Sequence, residues 1–215
     1  MPDARSLRER IVGGEDFNEV RIPMDSIAEQ VQEIIRSQSA DLIYVDSQHG
    51  PHTEWDIVRI CRAAEELGVG VILRIKHTRY AHLIGNYLDL GLLGIKVPEV
   101  EDPAVVQEAI NAFYYPPIGR RSWGGEVGFG KRSIEDRVEY ATWWNKTGIL
   151  AIKIESLKAV LNVRTLVSPL LTFMDYGGMD LRFSLETTPH PELRSFEDCK
   201  EFVKKELTDI DIRIL

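Results

Sequence analysis

Short runs of apolar residues, many of them β-branched, recur along the chain and predict buried strands. Runs of this length that end at turn residues are typical of strands covered on both faces. We predict seven strands, at residues 19–24, 42–46, 69–75, 93–97, 149–154, 170–176 and 211–215.

Between these runs, apolar residues repeat every three or four positions, which predicts amphipathic helices. In the first of them, Val31, Ile34 and Ile35 fall on one face. Asp25 or Ser26 can cap its start. The predicted helices span residues 26–38, 53–66, 79–89, 103–113, 133–146, 156–166 and 195–206. A segment rich in glycine, arginine and tryptophan, 116–131, is predicted as a loop.

The alternation of strands and helices predicts an α/β fold with a parallel sheet. A TIM-type (β/α)8 barrel and a doubly wound open sheet both fit this pattern. No Gly-x-Gly-x-x-Gly motif follows the first strand, and its absence counts against the doubly wound open sheet. Polar residues follow many strands, and a barrel gathers such residues into one site. They are Asp46, Arg74, Glu99, Glu155 and Asp180. We therefore predict a single barrel domain over residues 1–215.

The strand count leaves this barrel short. Seven strands are found where eight are needed, and 215 residues fall below the roughly 250 of a typical barrel. We expect the barrel to be incomplete or to be completed by a partner subunit, and we expect a homo-oligomer.

Composition restricts the kind of partner. With 26 Lys and Arg against 34 Asp and Glu, the net charge is −8, so neither nucleic acid nor a membrane is expected as a partner. The two cysteines, Cys61 and Cys199, imply neither a disulfide framework nor a zinc site. Residues 1–10 lack the apolar core of a signal peptide, and no apolar run is long enough to span a membrane. We expect a soluble, cytoplasmic protein.

The period of two along a strand places several charged side chains inside the predicted barrel. If the isoleucines of strand 149–154 face the helices, Lys153 and Glu155 point inward. The same rule places Arg74 and Lys96 inside.

These residues suit chemistry next to a carbonyl group. Glu155 and Asp180 can hold a hard divalent ion. Arg74 can bind a carboxylate or polarise a carbonyl. His49, oriented by Asp46, can move a proton. A metal and Arg74 would together stabilise an enolate while His49 handles the proton.

Each residue also has a structural alternative. Asp46 and Asp180 are suited to capping the helices that follow them. Glu155 is suited to a salt bridge at the end of its strand, and Arg74 to an ion pair with Asp46 or Glu99.

Six segments resemble, in order, motifs of the HpcH/HpaI aldolase family, the class II pyruvate aldolases related to 2-dehydro-3-deoxyglucarate aldolase. The resemblance covers roughly residues 20–195. The segments are Asp-Ser-Gln-His-Gly-Pro at 46–51, Val-Ile-Leu-Arg-Ile at 71–75, Gly-Ile-Lys-Val-Pro at 94–98, Tyr-Pro-Pro-Ile-Gly-Arg-Arg at 115–121, Ile-Lys-Ile-Glu-Ser at 152–156 and Gly-Gly-Met-Asp-Leu at 177–181.

The resemblance implies a TIM-type barrel that joins pyruvate to an aldehyde, or separates them, with a divalent metal such as Mg²⁺, Mn²⁺ or Co²⁺. It implies Glu155 and Asp180 as metal ligands and Arg74 as a contact of the pyruvate oxygens. It also implies His49 with Asp46 as an acid–base dyad.

The resemblance further implies how the small-molecule substrate is held. The N–H groups of Gly178, Met179 and Asp180 would bind its carboxylate. Arg121 would lie in a loop over the site.

Four positions depart from the family's pattern. Gln48 stands where the family has Glu, Lys153 where it has Gln, and Lys96 where it has an apolar residue. An ammonium opposes a nearby divalent ion unless an anion intervenes or the lysine loses its proton. Asp175, at a position that is apolar in the family, is the candidate anion.

Three functions therefore stay open. The first is a metal-dependent lyase that forms or consumes a pyruvate enolate. The second is an aldolase that forms a Schiff base on Lys153 or Lys96 without metal. The third is a non-catalytic binding or assembly subunit descended from the aldolases.

Overall fold

The computed structural model describes residues 6–215, and helices alternate with strands along most of them. The strands are β1 (Glu19–Arg21), β2 (Leu42–Asp46), β3 (Gly70–Arg74), β4 (Gly94–Val97), β5 (Ile149–Ile154) and β6 (Phe173–Tyr176). The α-helices are α1 (Leu7–Val12), α2 (Ala28–Gln38), α3 (Glu54–Glu65), α4 (Ile84–Leu88), α5 (Pro103–Phe113), α6 (Arg137–Thr147), α7 (Leu157–Leu161), α8 (Val163–Leu166), α9 (Gly178–Thr187) and α10 (Phe196–Glu206). Short 3-10 helices cover Thr78–Leu83 and Lys131–Ser133.

The six strands form one parallel sheet in which each strand pairs with the next in the chain. The register sets Asp46 of β2 opposite Arg74 of β3, and Arg74 opposite Lys96 of β4. The sheet is curled into a half-barrel, which confirms the prediction of an incomplete TIM-type barrel.

Side chains alternate across this sheet as the period of two predicts. One set packs against the outer helices and belongs to the larger apolar core, as Ile152 and Ile154 do. The other set lines the inside of the half-barrel in a smaller core that includes Leu42, Ile72 and Phe173.

Helix α1 closes one end of the smaller core, because Ile11 is fully buried among its residues. The periodicity of the sequence did not predict this helix. Its local signal is a capping box, in which the Ser6 hydroxyl accepts from the N–H of Glu9 and the Glu9 carboxylate accepts from the N–H of Ser6. Residues 1–5 of the polar segment 1–10 lie outside the described residues.

Three other elements differ from the sequence predictions. The predicted helix 79–89 is a 3-10 helix followed by the short α4, and the predicted helix 156–166 divides into α7 and α8 at Asn162. Helix α9 was missed because Leu181 is its one buried residue, so its apolar pattern is weak.

The prediction of a seventh strand at 211–215 is wrong: within the described residues this segment makes only a single parallel bridge, from Ile214 to Met174 of β6. The N–H of Met174 donates to the carbonyl of Arg213 at 2.8 Å, and the N–H of Leu215 donates back to Met174 at 2.9 Å. None of the helices within residues 6–215 is long and apolar enough to cross a membrane.

Candidate active site

The polar residues predicted to converge do so at the carboxyl ends of the strands. Asp46 and Arg74 are the last residues of β2 and β3, and Glu155 follows β5 directly. A cleft of about 400 Å³ opens at this end of the sheet. Its lining residues are His77, Thr78, Glu99, Glu101, Glu155, Ser156 and Asp180.

Glu155 is the buried carboxylate of this cleft. Its Oε2 accepts a hydrogen bond from the N–H of Glu99 at 2.7 Å. Its Oε1 lies 3.5 Å from Lys153 Nζ and 3.6 Å from Arg74 Nη1 but accepts no hydrogen bond from the described residues. Burial raises the pKa of Glu155, although the nearby charge of Lys153 acts in the opposite direction. A side chain at Gly177 would collide with Oε1, so the glycine makes room for this carboxylate.

Arg74 is held by Asp46 in a two-point contact. Arg74 Nε donates to Asp46 Oδ1 at 2.8 Å, and its Nη2 donates to Oδ2. Arg21 Nη2 also donates to Oδ2 at 3.0 Å, and the N–H of Gln48 donates to Oδ1 at 3.0 Å. Burial acts to raise the pKa of Asp46, but Arg74, the N–H of Gln48 and Arg21 together outweigh it, and the pKa lies below its usual range. The Arg74–Asp46 contact is one of the two ion pairs that the sequence left open. Through it, Asp46 orients Arg74 toward Glu155.

His49 does not share this arrangement. It is exposed in the turn after β2, and no hydrogen bond among the described residues joins it to Asp46. It lines a second hollow of about 540 Å³, together with Arg21 and Pro51. The structure does not form the expected Asp46–His49 dyad because the Asp46 oxygens are occupied by Arg74, Arg21 and a backbone N–H. The role of His49 stays a prediction.

Asp180 lies in the first turn of α9 and is exposed on the wall of the cleft. Its charge acts to raise the pKa of Glu155, so the two carboxylates face a common space. The N–H groups of Gly178, Met179 and Asp180 make no hydrogen bond to another described residue. Helix starts leave such groups free, and they are suited to binding an anion.

The two interior lysines are paired with carboxylates. Lys96 Nζ lies 2.7 Å from Glu19 Oε1 and 3.1 Å from Asp175 Oδ2. Lys153 Nζ lies 3.4 Å from the same Asp175 oxygen. Asp175 thus lies between the two ammonium groups. Its suggested role of offsetting Lys153 beside a divalent ion stays a prediction.

Arg121 lies away from the cleft. Its guanidinium is stacked between the rings of Tyr115 and Trp144, 4.7 Å from each, and Nη2 donates to Asp89 Oδ1 at 2.8 Å. Asp89 and Trp144 precede the starts of β4 and β5, whereas Glu155 follows the end of β5. The structure therefore corrects the expected position of Arg121 over the site, because its loop packs near the amino ends of the strands.

Two further residues lie in the cleft: Glu99, for which the sequence predicted only a position after a strand or an ion pair with Arg74, and His77, which it did not single out. Glu99 has a left-handed backbone with φ of 52°, and this turn directs its N–H to Glu155. His77 Nε2 lies 3.6 Å from Glu99 Oε2. The signal that could have identified His77 is position, since it is a polar residue three positions after the end of β3.

The donor types of the cleft fit a hard divalent ion, which binds oxygen ligands. Glu155 Oε1 is a buried carboxylate oxygen without a hydrogen bond, and Asp180 borders the same space. Within the described part of the chain, no three His, Cys, Asp or Glu residues are arranged to hold a metal. Two carboxylates would leave the other positions to water and substrate. The ammonium of Lys153 would repel a divalent ion at Glu155, so the site fits an ion that is bound weakly.

Comparison with known proteins identifies the family of the chain and agrees with its fold. A family model described as HpcH/HpaI aldolase/citrate lyase matches residues 24–205. The 2-keto-3-deoxy-L-rhamnonate aldolase of Salmonella gallinarum is 25% identical over 191 residues, which cover 86% of this chain and 70% of that protein.

Two solved structures resemble the fold. An HpcH/HpaI aldolase from Desulfitobacterium hafniense superposes with a TM-score of 0.82 at 22% identity, covering 98% of this chain and 81% of that one. Macrophomate synthase superposes with a TM-score of 0.77 at 23% identity, covering 98% and 75%.

Proposed function

The chain belongs to the HpcH/HpaI aldolase/citrate lyase family, and we propose that it is a carbon–carbon lyase that joins a pyruvate enolate to an aldehyde or separates them. One observation carries the proposal. Arg74 and Glu155 meet at 3.6 Å at the end of the sheet, and the buried Oε1 of Glu155 has no hydrogen bond within the described residues. A buried carboxylate oxygen that lacks a hydrogen bond costs stability even beside cations, which favours a working site over a purely binding or assembly subunit.

Arg74 binds the oxygens of the 2-oxo acid. Asp46 fixes its guanidinium by two hydrogen bonds, so little side-chain freedom is lost when the substrate arrives. The free N–H groups of Gly178, Met179 and Asp180 receive the carboxylate of the same molecule.

Glu155 and Asp180 hold the divalent ion, Mg²⁺, Mn²⁺ or Co²⁺. When bound, that ion supplies positive charge that stabilises an enolate. His49 is the proposed proton carrier; the hollow that it lines is also lined by Asp46, which contacts Arg74. In the proposed step His49 removes a proton from the methyl carbon of pyruvate, and the electron pair of that bond passes into the enolate. Asp46 supports this step through Arg74 rather than through the imidazole.

The lysine contacts favour this reaction over a Schiff base. A Schiff base needs an amine that can reach the carbonyl carbon of the substrate. Lys96 Nζ and Lys153 Nζ each lie within 3.4 Å of the Asp175 carboxylate, so both amines are held in ion pairs.

A homo-oligomer is the proposed assembly. Met179 and Phe183 on α9 are large apolar side chains that are well exposed in the single chain. Grouped apolar exposure of this kind is typical of surfaces that another subunit covers.

The test is carbon–carbon bond formation from pyruvate and glycolaldehyde, followed by NMR. We expect product in the presence of Mg²⁺, Mn²⁺ or Co²⁺, loss of product in EDTA, and recovery when metal is restored. Glu155→Gln should abolish the reaction, whereas Glu186→Gln, on the exposed surface of α9, should not. Equal activity with and without chelator would contradict the metal-dependent reaction.

A further inference from the structure

His77 lies at the mouth of the Glu155 cleft. Its side chain is 46% exposed, whereas those of Glu155 and Arg74, deeper in the same region, are 2% and 9% exposed. The inner residues are those proposed to bind pyruvate. A second substrate that meets the enolate from the solvent side would therefore pass His77.

The backbone fixes which ring nitrogen of His77 carries the proton. His77 caps the 3-10 helix Thr78–Leu83, and its Nδ1 accepts a hydrogen bond from the N–H of Arg79 at 3.0 Å. A backbone N–H can only donate, so Nδ1 must keep its lone pair. In the neutral ring the proton is then on Nε2.

The Nε2–H group has no hydrogen-bond acceptor among the described residues. The nearest carboxylate oxygen is Glu99 Oε2 at 3.6 Å, beyond hydrogen-bond distance. Glu99 is itself held by Gln48, whose Nε2 donates to Oε1 at 3.1 Å. A glutamate at position 48, as in the family motif, could not donate to Glu99. The departure at this position thus supports the arrangement around His77.

His77 offers a hydrogen-bond donor, its imidazole N–H, in a cleft whose lining consists mainly of hydrogen-bond acceptors. Four of the seven lining residues are carboxylates, Glu99, Glu101, Glu155 and Asp180. Ser156 is occupied, because its hydroxyl donates to Glu101. An aldehyde oxygen that gains negative charge would be repelled by these carboxylates unless a donor faces it.

We propose that His77 is a catalytic residue whose neutral Nε2–H group binds the aldehyde oxygen; the proposal rests on the lyase function above. In the addition, the enolate carbon forms a bond to the aldehyde carbon, and the electron pair of the C=O π bond moves to the oxygen. The Nε2–H hydrogen bond stabilises that negative charge, and the oxygen then takes a proton from water. Cleavage follows the same steps in reverse.

Two substitutions separate this role from the capping role of His77. His77→Asn keeps an acceptor near Nδ1, and asparagine is a good helix cap, but its side chain is too short to reach the Nε2 position. His77→Gln places an amide N–H near Nε2 and loses the cap. His82→Asn, at an exposed histidine of the same 3-10 helix, is the matched control.

Two reactions are measured on each protein: exchange of the pyruvate methyl protons in D₂O, and bond formation from pyruvate and glycolaldehyde. His77→Asn should slow bond formation about 100-fold, the usual cost of losing one such donor, and leave exchange unchanged. His77→Gln should retain most of the rate of bond formation, and His82→Asn should match the unaltered protein.

Other outcomes separate the two proposals. Full bond formation by His77→Asn, or an equal loss of exchange and bond formation, would overturn the role of His77. Exchange by the unaltered protein without any bond formation would overturn it as well, because the role requires an aldehyde in the cleft. Absence of exchange in the unaltered protein would instead reject the lyase function.

Discussion

The two lysines inside the half-barrel depend on Asp175. Its Oδ2 lies 3.1 Å from Lys96 Nζ and 3.4 Å from Lys153 Nζ, and both lysine side chains are less than 10% exposed. At an effective dielectric of about 20, each contact corresponds to about 5 kcal/mol of attraction. Asp175→Asn would remove this charge and leave two buried ammonium groups close together.

The net loss is smaller than the attraction. Removing one partner of a buried ion pair costs about 3–5 kcal/mol. Asp175 is 21% exposed, and Glu19 and Glu155 still face the two lysines. We therefore expect Asp175→Asn to lower the free energy of unfolding by about 3 kcal/mol, near the lower end of that range. For a domain of this size the midpoint temperature would fall by roughly 6–12 °C.

Urea unfolding measures this loss. Asp209→Asn is the matched control, because Asp209 also contacts a cation, Arg164 at 2.7 Å, but its side chain is 67% exposed. Its effect should be much smaller. Adding Lys153→Gln to Asp175→Asn should recover part of the loss, because it removes one of the two buried ammonium groups. A loss below about 1 kcal/mol for Asp175→Asn, or one equal to the control, would refute the dependence of the lysines on Asp175.

Three further predictions concern the cleft. Lys153→Gln should strengthen Mn²⁺ binding measured by calorimetry, because it removes an ammonium 3.5 Å from Glu155 Oε1; unchanged affinity would contradict this. Gly177→Ala should displace the Glu155 carboxylate and lower the rate of bond formation while the protein stays folded by circular dichroism; full activity would show that the close contact is relieved elsewhere. The folded pKa of Asp46 is lowered, so its contribution to stability is present above its unfolded value near 3.9 and is lost as the pH falls below it. Asp46→Asn should remove that part of the acid dependence in urea unfolding as the pH falls from about 5 to about 2, and an unchanged profile would show that the Arg74 contact does not lower this pKa.

The parts of the site that depend on local periodicity could be predicted from the sequence. Alternation along β3 and β5 sets Arg74, Lys153 and Glu155 on the inner face, because a strand repeats every two residues whatever its surroundings. Their shared location follows from parallel strands, whose carboxyl ends meet at one edge.

Pairing between distant residues could not be predicted in the same way. Spacing in the sequence favoured His49 as the partner of Asp46, but the sheet register brings Arg74 directly opposite Asp46. The guanidinium offers two hydrogen bonds there and takes the oxygens that His49 would need. Arg121 shows a similar effect, because Asp89 and two aromatic rings fix its position from elements far along the chain.

The most direct test of enolate formation in the Glu155 cleft is proton exchange at the methyl group of pyruvate in D₂O, followed by NMR. The unaltered protein should exchange these protons with Mn²⁺ present, and the exchange should stop in EDTA and in Glu155→Gln but continue in Glu186→Gln. Exchange that persists in Glu155→Gln, or no exchange with Mg²⁺, Mn²⁺ or Co²⁺, would contradict the account.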